Sequence, residues 1–315
     1  MSSVTEEINQ LFFQCFNKNA DAILRLPLSG SDRVYYRVRS GDTSVIATVN
    51  SNIKENDTFI YLSQHFLEIG VNVPKVIAVN STKNIYLQSD FGDVSLLNCI
   101  ESKGKTPEVF ELLKLSLEGL TKIQILGDVD LDYSKCITSA EFGKQAILSD
   151  LLYFKYYFLD TLKIPYDKEK LLEDFDALSM YLFHADYKFF MYRDFQSRNV
   201  MVKDNQVHFI DYQGGMKGAL QYDVASFLWQ AKAELSDEWK SQLLEHYILC
   251  VEQLLDTKID RFRFTGQYNG YTLIRLLQVL GAYGFRGIFE RKAHFLDSIP
   301  LALNNLRAFI KSHSL

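Results

Sequence analysis

The sequence predicts an α+β protein of two lobes, a small β-rich first lobe over residues 1–92 and a larger, mainly helical second lobe over 93–315. Two observations carry this. Strand-like segments rich in β-branched and aromatic residues crowd into the first ninety positions, and helical periodicity dominates after Gly92. A third sharpens it: one short β-like island, 199–203 and 207–211, interrupts the helical part.

Residues 4–25 carry apolar side chains at helical spacing (Ile8, Leu11, Phe12, Cys15, Phe16) and predict the first helix. Residues 33–39 and 44–49 are strand-like and are separated by Ser40-Gly41-Asp42, which predicts a β-hairpin. A helix over about 56–69 is closed by Gly70, and strands follow near 75–79 and 84–89. Beyond the boundary at Gly92, helices are expected at 107–126, 139–163, 168–187, 220–233, 236–256, 267–289 and 298–311.

Composition narrows the function classes. The 315 residues are 47% hydrophobic and 23% charged, as in soluble globular proteins. The net charge of −5 comes without a long basic run, so no nucleic-acid partner is expected. Eighteen Tyr and 23 Phe against 2 Trp imply a core rich in rings. Cys15, Cys99, Cys136 and Cys250 are scattered, without a CxxC pair, which suits reduced thiols rather than a disulfide framework or a zinc site. The N-terminus lacks the pattern of a signal peptide and no apolar run approaches 18 residues, so a cytoplasmic protein without a membrane partner is expected.

The chemistry concentrates in residues 192–213, YRDFQSRNVMVKDNQVHFIDYQ. Asp194 and Asn199 stand five apart, the spacing of kinase catalytic loops. Twelve positions after Asn199, Asp211 ends the apolar strand Val207-His208-Phe209-Ile210. A hairpin between Asn199 and Asp211 brings their oxygens to one place, so two metal ligands and a base face one point. Phosphoryl transfer asks for hard oxygen ligands for Mg²⁺ and a carboxylate near the attacking hydroxyl.

This string resembles the catalytic segment of the aminoglycoside phosphotransferase superfamily, small-molecule kinases with a protein-kinase-like fold. The resemblance implies Asp194 as catalytic base, Asn199 and Asp211 as Mg²⁺ ligands, Gln196 near the γ-phosphate, and ATP as phosphate donor. Tyr192 stands where the family has His, a position that braces the loop, and Tyr212-Gln213 replaces the Phe-Gly of protein kinases. Gly218–Ala225 resembles the family's G-P-x-x-Y-D-x-A segment, which implies a structural role for Asp223 at a helix N-terminus; Arg193 is likewise expected to be structural.

Ser29-Gly30-Ser31-Asp32-Arg33 is the candidate phosphate-covering loop, with Ser29, Gly30, Ser31 and Arg33 as nucleotide-binding residues, joined by Gln88 and Asp90. The next strand, Ser44–Asn50, lacks the lysine that kinases keep for the phosphates: Ala47 or Thr48 occupies its place, with Lys54 just beyond. Residues 29–96 resemble the first lobe of a branch without that lysine, bacterial kinases that phosphorylate the anomeric hydroxyl of N-acetylmuramate and N-acetylglucosamine. There Asp90-Phe91-Gly92 falls at the hinge between lobes. The tail, Arg275–Arg286 and onward, looks like the C-terminal helices of the same sugar kinases and implies Gln278, Tyr283, Arg286 and Arg291 around a small-molecule acceptor. The expected activity is ATP- and Mg²⁺-dependent phosphorylation of a sugar or amino sugar. Alternatives are an aminoglycoside or other small alcohol as acceptor, and a pseudokinase that binds or regulates. Asp237, Glu238, Glu245, Glu252 and Asp256 suit a solvated helix face as well as a pocket, and the 271–292 segment is basic, which disfavours a cationic drug.

Overall fold

The protein is described here by a computed structural model covering residues 3–27, 32–137 and 139–312. The first lobe is a five-stranded antiparallel sheet with a helix on each side. Helix α1 (Val4–Phe16) starts at a capping box in which Ser3 and Glu6 satisfy each other's backbone N–H. It stops at Asn17, which turns left-handed at φ 51°. The helix expected to reach residue 25 therefore ends early, and Ala22–Arg25 forms strand β1 instead. Ile23 and Leu24 continue the helical spacing by coincidence, and four residues are too few to display a strand's period. Strands β2 (Val34–Ser40) and β3 (Thr43–Val49) form the expected hairpin. Helix α2 (Ile53–Glu68), capped by Asn52 and followed by Gly70 at φ 76°, leads to β4 (Val76–Val79) and β5 (Ile85–Ser89). The sheet order is β1-β2-β3-β5-β4.

Alternation along the strands gives the sheet two different faces. Val38, Val45, Ala47, Ile85 and Leu87 pack with Ile8, Leu11 and Phe12 of α1 into one buried cluster. Tyr35, Arg37, Ile46, Tyr86 and Gln88 point the other way and line a cleft against the second lobe.

The second lobe opens with α3 (Leu96–Lys103), a two-turn helix that the periodicity did not separate from its surroundings, and α4 (Pro107–Thr121). Helices α5 (Lys144–Phe154) and α6 (Lys168–Phe183) precede β6 (Lys188–Met191), the hairpin β7 (Val200–Lys203) and β8 (Gln206–Phe209), and β9 (Met216–Ala219). Helices α7 (Leu220–Leu228), α8 (Asp237–Leu255), α9 (Arg261–Gly284), α10 (Ala293–Leu296) and α11 (Ile299–Ser312) complete it. The β6–β9 pair is a correction to the single expected β-like island: its residues lie just outside the expected helices 168–187 and 220–233, and only their pairing, across 31 positions at Lys188 with Ala219, makes them strands. The expected helices 107–126, 139–163 and 267–289 each end in a π-turn, at Lys122–Leu126, Lys155–Asp160 and Phe285–Phe289.

The largest core cluster runs from α2 through α4 to the 192–213 segment and α8, and its rings include Phe59, Phe66, Phe190, Tyr192, Phe195 and Tyr212. Gly119 lets α4 lie directly on the β7–β8 hairpin, because a Cβ there would stand 2.2 Å from Phe209. Among the described residues no helix is long and apolar enough to cross a membrane.

Candidate active site

Residues 192–213 form a loop and hairpin facing the cleft. The hairpin turns through Asp204 and Asn205, both left-handed (φ 52° and 58°), a two-residue connection of the kind that Asp and Asn tolerate. At its open end the Ile210 N–H donates to the Asn199 carbonyl at 3.1 Å, and this closes the distance between the loop and Asp211. Asn199 Nδ2 lies 3.2 Å from Asp194 Oδ2 and 3.5 Å from Asp211 Oδ2, and also donates to the Asp194 carbonyl at 2.9 Å. Thus the three residues that the motif singles out do meet at one point.

Two members of the segment sit in left-handed backbone that non-glycine residues avoid, Arg193 at φ 77° and Asp211 at φ 72°. Such conformations cost about 1–3 kcal/mol each and survive only where neighbours over-determine them. At Arg193 the constraint is Asp223, whose buried carboxylate accepts from the Tyr192 N–H (2.7 Å), the Arg193 N–H (2.9 Å) and Gln124 Nε2 (3.0 Å). Burial pushes the Asp223 carboxyl up to about 7 in spite of these donors. The Arg193 guanidinium is engaged by Asp150 in a two-pronged pair at 2.8 Å, and by the Tyr222 hydroxyl. Near Asp211, Tyr192 donates its hydroxyl to the Ile210 carbonyl at 2.5 Å. Tyr212 stacks on Phe59 of α2 with centroids 5.2 Å apart and hydrogen-bonds to Ser63, which ties the segment to the first lobe.

Asp194 is flanked by cations. Oδ1 takes Gln196 Nε2 at 2.8 Å and has Arg275 at 3.5 Å; Oδ2 has Arg198 at 3.2 Å. Sequence reasoning missed both arginines. Arg198 lay inside the motif, one residue before Asn199, and Arg275 opened the quoted tail; their contact with Asp194 depends on how α9 packs. Of the expected acceptor residues, Tyr283 lines, with Gln196, Ser226, Gln230 and Arg275, a cavity of about 20 Å³, room for a water. Gln278 hydrogen-bonds to Arg275. Arg286 pairs with Glu290 and Arg291 is exposed; neither lines this cavity or the main cleft.

The cleft between the lobes encloses about 330 Å³ and is lined by Tyr35, Phe59, Gln88, Phe91, Asn199 and Asp211, among others. Asp90-Phe91-Gly92 lies at the connection between lobes. The Asp90 carboxylate is occupied by Arg37, Ser44 and the Gly92 N–H, and Phe91 stacks on His208 with centroids 4.2 Å apart. Any nucleotide contact of Asp90 would therefore have to come from its backbone. Gln88 donates to Thr48 at 3.1 Å but leaves its buried Oε1 without a partner, an acceptor in the cleft wall that a ligand donor would satisfy. Ser29, Gly30 and Ser31 lie outside the described residues. Burial pushes the Asp211 carboxyl up, but Arg33, Gln213 and Arg198 outweigh it and hold the group below the usual carboxylate range.

The donor set suits a hard cation. Among the described residues no three His, Cys, Asp or Glu gather as a metal site. None need to: Mg²⁺ takes one or two protein oxygens and completes its shell from phosphates and water. The Asn199 amide and the Asp211 carboxylate could supply that pair.

The comparisons agree with this geometry. The sequence pattern of the phosphotransferase enzyme family matches residues 23–257. An N-acetylmuramate/N-acetylglucosamine kinase of Neisseria meningitidis serogroup B is 24% identical over 297 residues, covering 87% of this chain and 81% of its own length. A kinase of the same name from Pseudomonas aeruginosa is 23% identical over 197 residues, covering 62% of this chain and 55% of its own. Among solved structures, a thermostable mutant of an aminoglycoside phosphotransferase, in complex with ADP and hygromycin B, superposes with a TM-score of 0.63 at 15% identity over the whole of both chains. A choline kinase from Cryptosporidium parvum gives 0.62 at 15% identity, covering 92% of this chain and 90% of its own. At such identities the structural likeness speaks for the fold, while the family pattern spans most of the chain: the protein belongs to the phosphotransferase enzyme family and is a small-molecule kinase.

Proposed function

We propose that the protein transfers the γ-phosphate of ATP, with Mg²⁺, to a hydroxyl of a sugar or amino sugar. In this reading residues 1–92 form the nucleotide lobe, 93–315 form the acceptor lobe, and the reaction runs in a cytoplasm. The observation that carries it is the convergence of Asp194, Asn199 and Asp211, each carboxylate within 3.5 Å of the Asn199 amide nitrogen, at the edge of a cleft of about 330 Å³. When bound, Mg²⁺ would neutralise charge on the transferring phosphate. Asn199 and Asp211 would hold it. Asp194, held from both sides by Gln196 and Arg198, orients the acceptor hydroxyl and receives its proton as the bond to phosphorus forms.

The surroundings of Asp194 favour a neutral or anionic acceptor. Two guanidiniums, Arg198 and Arg275, stand against it, and among the described residues no carboxylate lines the adjoining small cavity. A polycationic aminoglycoside would meet repulsion there, whereas an N-acetylated sugar, with or without a carboxylate, would not. The names of the Neisseria and Pseudomonas relatives support the same acceptor class.

The test is Mg²⁺-dependent ADP release with a panel of N-acetylated amino sugars, plain sugars, aminoglycosides and choline, beside an Asp194→Ala control. Release with amino sugars that the substitution abolishes is the expected result. Release with aminoglycosides or choline alone would overturn the acceptor assignment, and turnover that survives Asp194→Ala would overturn the assigned base.

A further inference from the structure

The missing strand lysine leaves a question of charge: a kinase cleft needs a fixed cation for the nucleotide phosphates. Register narrows where that cation would have stood. Ala47 belongs to the cluster against α1, so of the two candidate positions only Thr48, paired across to Tyr35 and hydrogen-bonded to Gln88, shares the cleft-side face of Ile46. It is fully buried and uncharged. Lys54, the nearest lysine in sequence, donates to the Ile137 carbonyl at 2.8 Å and does not line the cleft.

Among the described residues lining the cleft, the only cations are Arg33 and Arg37. Arg37 is committed to the hinge, where its guanidinium contacts Asp90, Asp93 and the Gly92 carbonyl at 2.7–3.1 Å. Arg33 is differently placed. It stands immediately before β2, its Nη2 lies 2.5 Å from Asp211 Oδ1, and its Nε lies 3.6 Å from Glu55 in the first turn of α2. A cation joined to a helix glutamate on one side and adjacent to the metal-binding aspartate on the other is the arrangement that protein kinases build from the β3 lysine and the αC glutamate.

Resting on the nucleotide reading above, we infer that Arg33 is the phosphate-binding cation of this chain, displaced from β3 to the start of β2, with Glu55 as its anchor. The β2 origin explains why β3 tolerates Thr48. The side chain is only 8% exposed, so its guanidinium is already ordered, and the fork can grip two phosphate oxygens where a lysine offers a point charge. Asp211 is its counter-ion.

Calorimetric titration of ADP, ATP and adenosine into wild type and Arg33→Met tests this. The expected result is a loss of about 10–100-fold for both nucleotides, the worth of hydrogen bonds to a charged group, with adenosine within about twofold. Equal affinity for ADP in the two proteins would overturn the inference. So would an equal loss for adenosine, since Arg33 would then act through the shape of the cleft. Should the methionine variant not fold, Arg33→Gln carries the same expectations. Wild type that binds no ADP would overturn the nucleotide reading itself, an outcome distinct from wild type and variant binding ADP alike.

Discussion

The two walls of the cleft handle charge in opposite ways. On the second-lobe side, Asp194 and the backbone around Arg193 are held by several overlapping bonds, from Asp223, Gln196, Asn199, Arg198 and Arg275, all within the same lobe. On the first-lobe side, one buried guanidinium, Arg33, reaches across from β2 to Asp211, which Gln213 also holds from within its own lobe. A site wired within one lobe keeps its shape when the lobes shift, whereas a charge that crosses between lobes is made or lost with them. The difference also fits chemistry: the loop around Asp194 is strained and must be over-determined, while a phosphate-binding cation must be able to exchange one anion for another.

Breaking the wired wall gives the largest effects. Asp194→Asn is expected to lower acceptor-dependent turnover by about 10²–10⁴-fold, the range for a general base, while ADP binding by calorimetry stays within about threefold. Asp223→Ala removes the acceptor of two backbone N–H groups under a left-handed residue. A loss of about 2–4 kcal/mol in denaturant unfolding is expected, larger than that of any single substitution on the first-lobe wall. Arg275→Met sharpens the acceptor question. It should raise KM about tenfold for a carboxylate-bearing amino sugar, and less than threefold for its neutral counterpart. Tyr212→Phe deletes the hydroxyl that meets Ser63 across the lobes. Ser63 keeps its bond to the Phe59 carbonyl, so about 1 kcal/mol in stability is expected.

The smallest effect is in pH. Asp223 is raised to about 7 by burial, so the fold holds its proton more tightly than the unfolded chain, whose Asp titrates near 3.8. Its contribution to stability is therefore greatest at acid pH and falls as pH rises from about 4 through 7. The lead of wild type over Asp223→Asn in melting temperature is expected to be larger at pH 5 than at pH 8. A lead that grows with pH would mean that the hydrogen-bond donors, not burial, govern this carboxyl.

Much of the site was legible in the sequence because its chemistry depends on short-range spacing. Asp194, Asn199 and Asp211 lie within eighteen residues, and one hairpin suffices to gather them. Asp223 was read from the resemblance of Gly218–Ala225 to a family segment, and it does brace the loop through the Tyr192 and Arg193 N–H groups. The hinge reading of Asp90-Phe91-Gly92 rested on its distance of a hundred residues from the catalytic loop, and in the structure the three residues stand between β5 and α3. What escaped was long-range. Arg275 reaches Asp194 across 81 positions and Arg33 reaches Asp211 across 178, and nothing in either arginine's neighbours signals the partner. Arg286 and Arg291 were chosen on the same tail pattern, yet the π-turn after α9 and the left-handed Arg291 carry that part of the chain away from both cavities.

By itself the sequence determined most of the elements, the two-lobed order and the 192–213 string, because periodicity, capping and turn chemistry act over a few residues. Tertiary structure alone decided that β1, β6 and β9 are strands, which face of β3 meets the cleft, and which arginine stands by which carboxylate. Those outcomes depend on pairing register and on helix packing between residues far apart in sequence. A buried charge finds its counter-ion by proximity in space, and one-dimensional spacing carries no record of it.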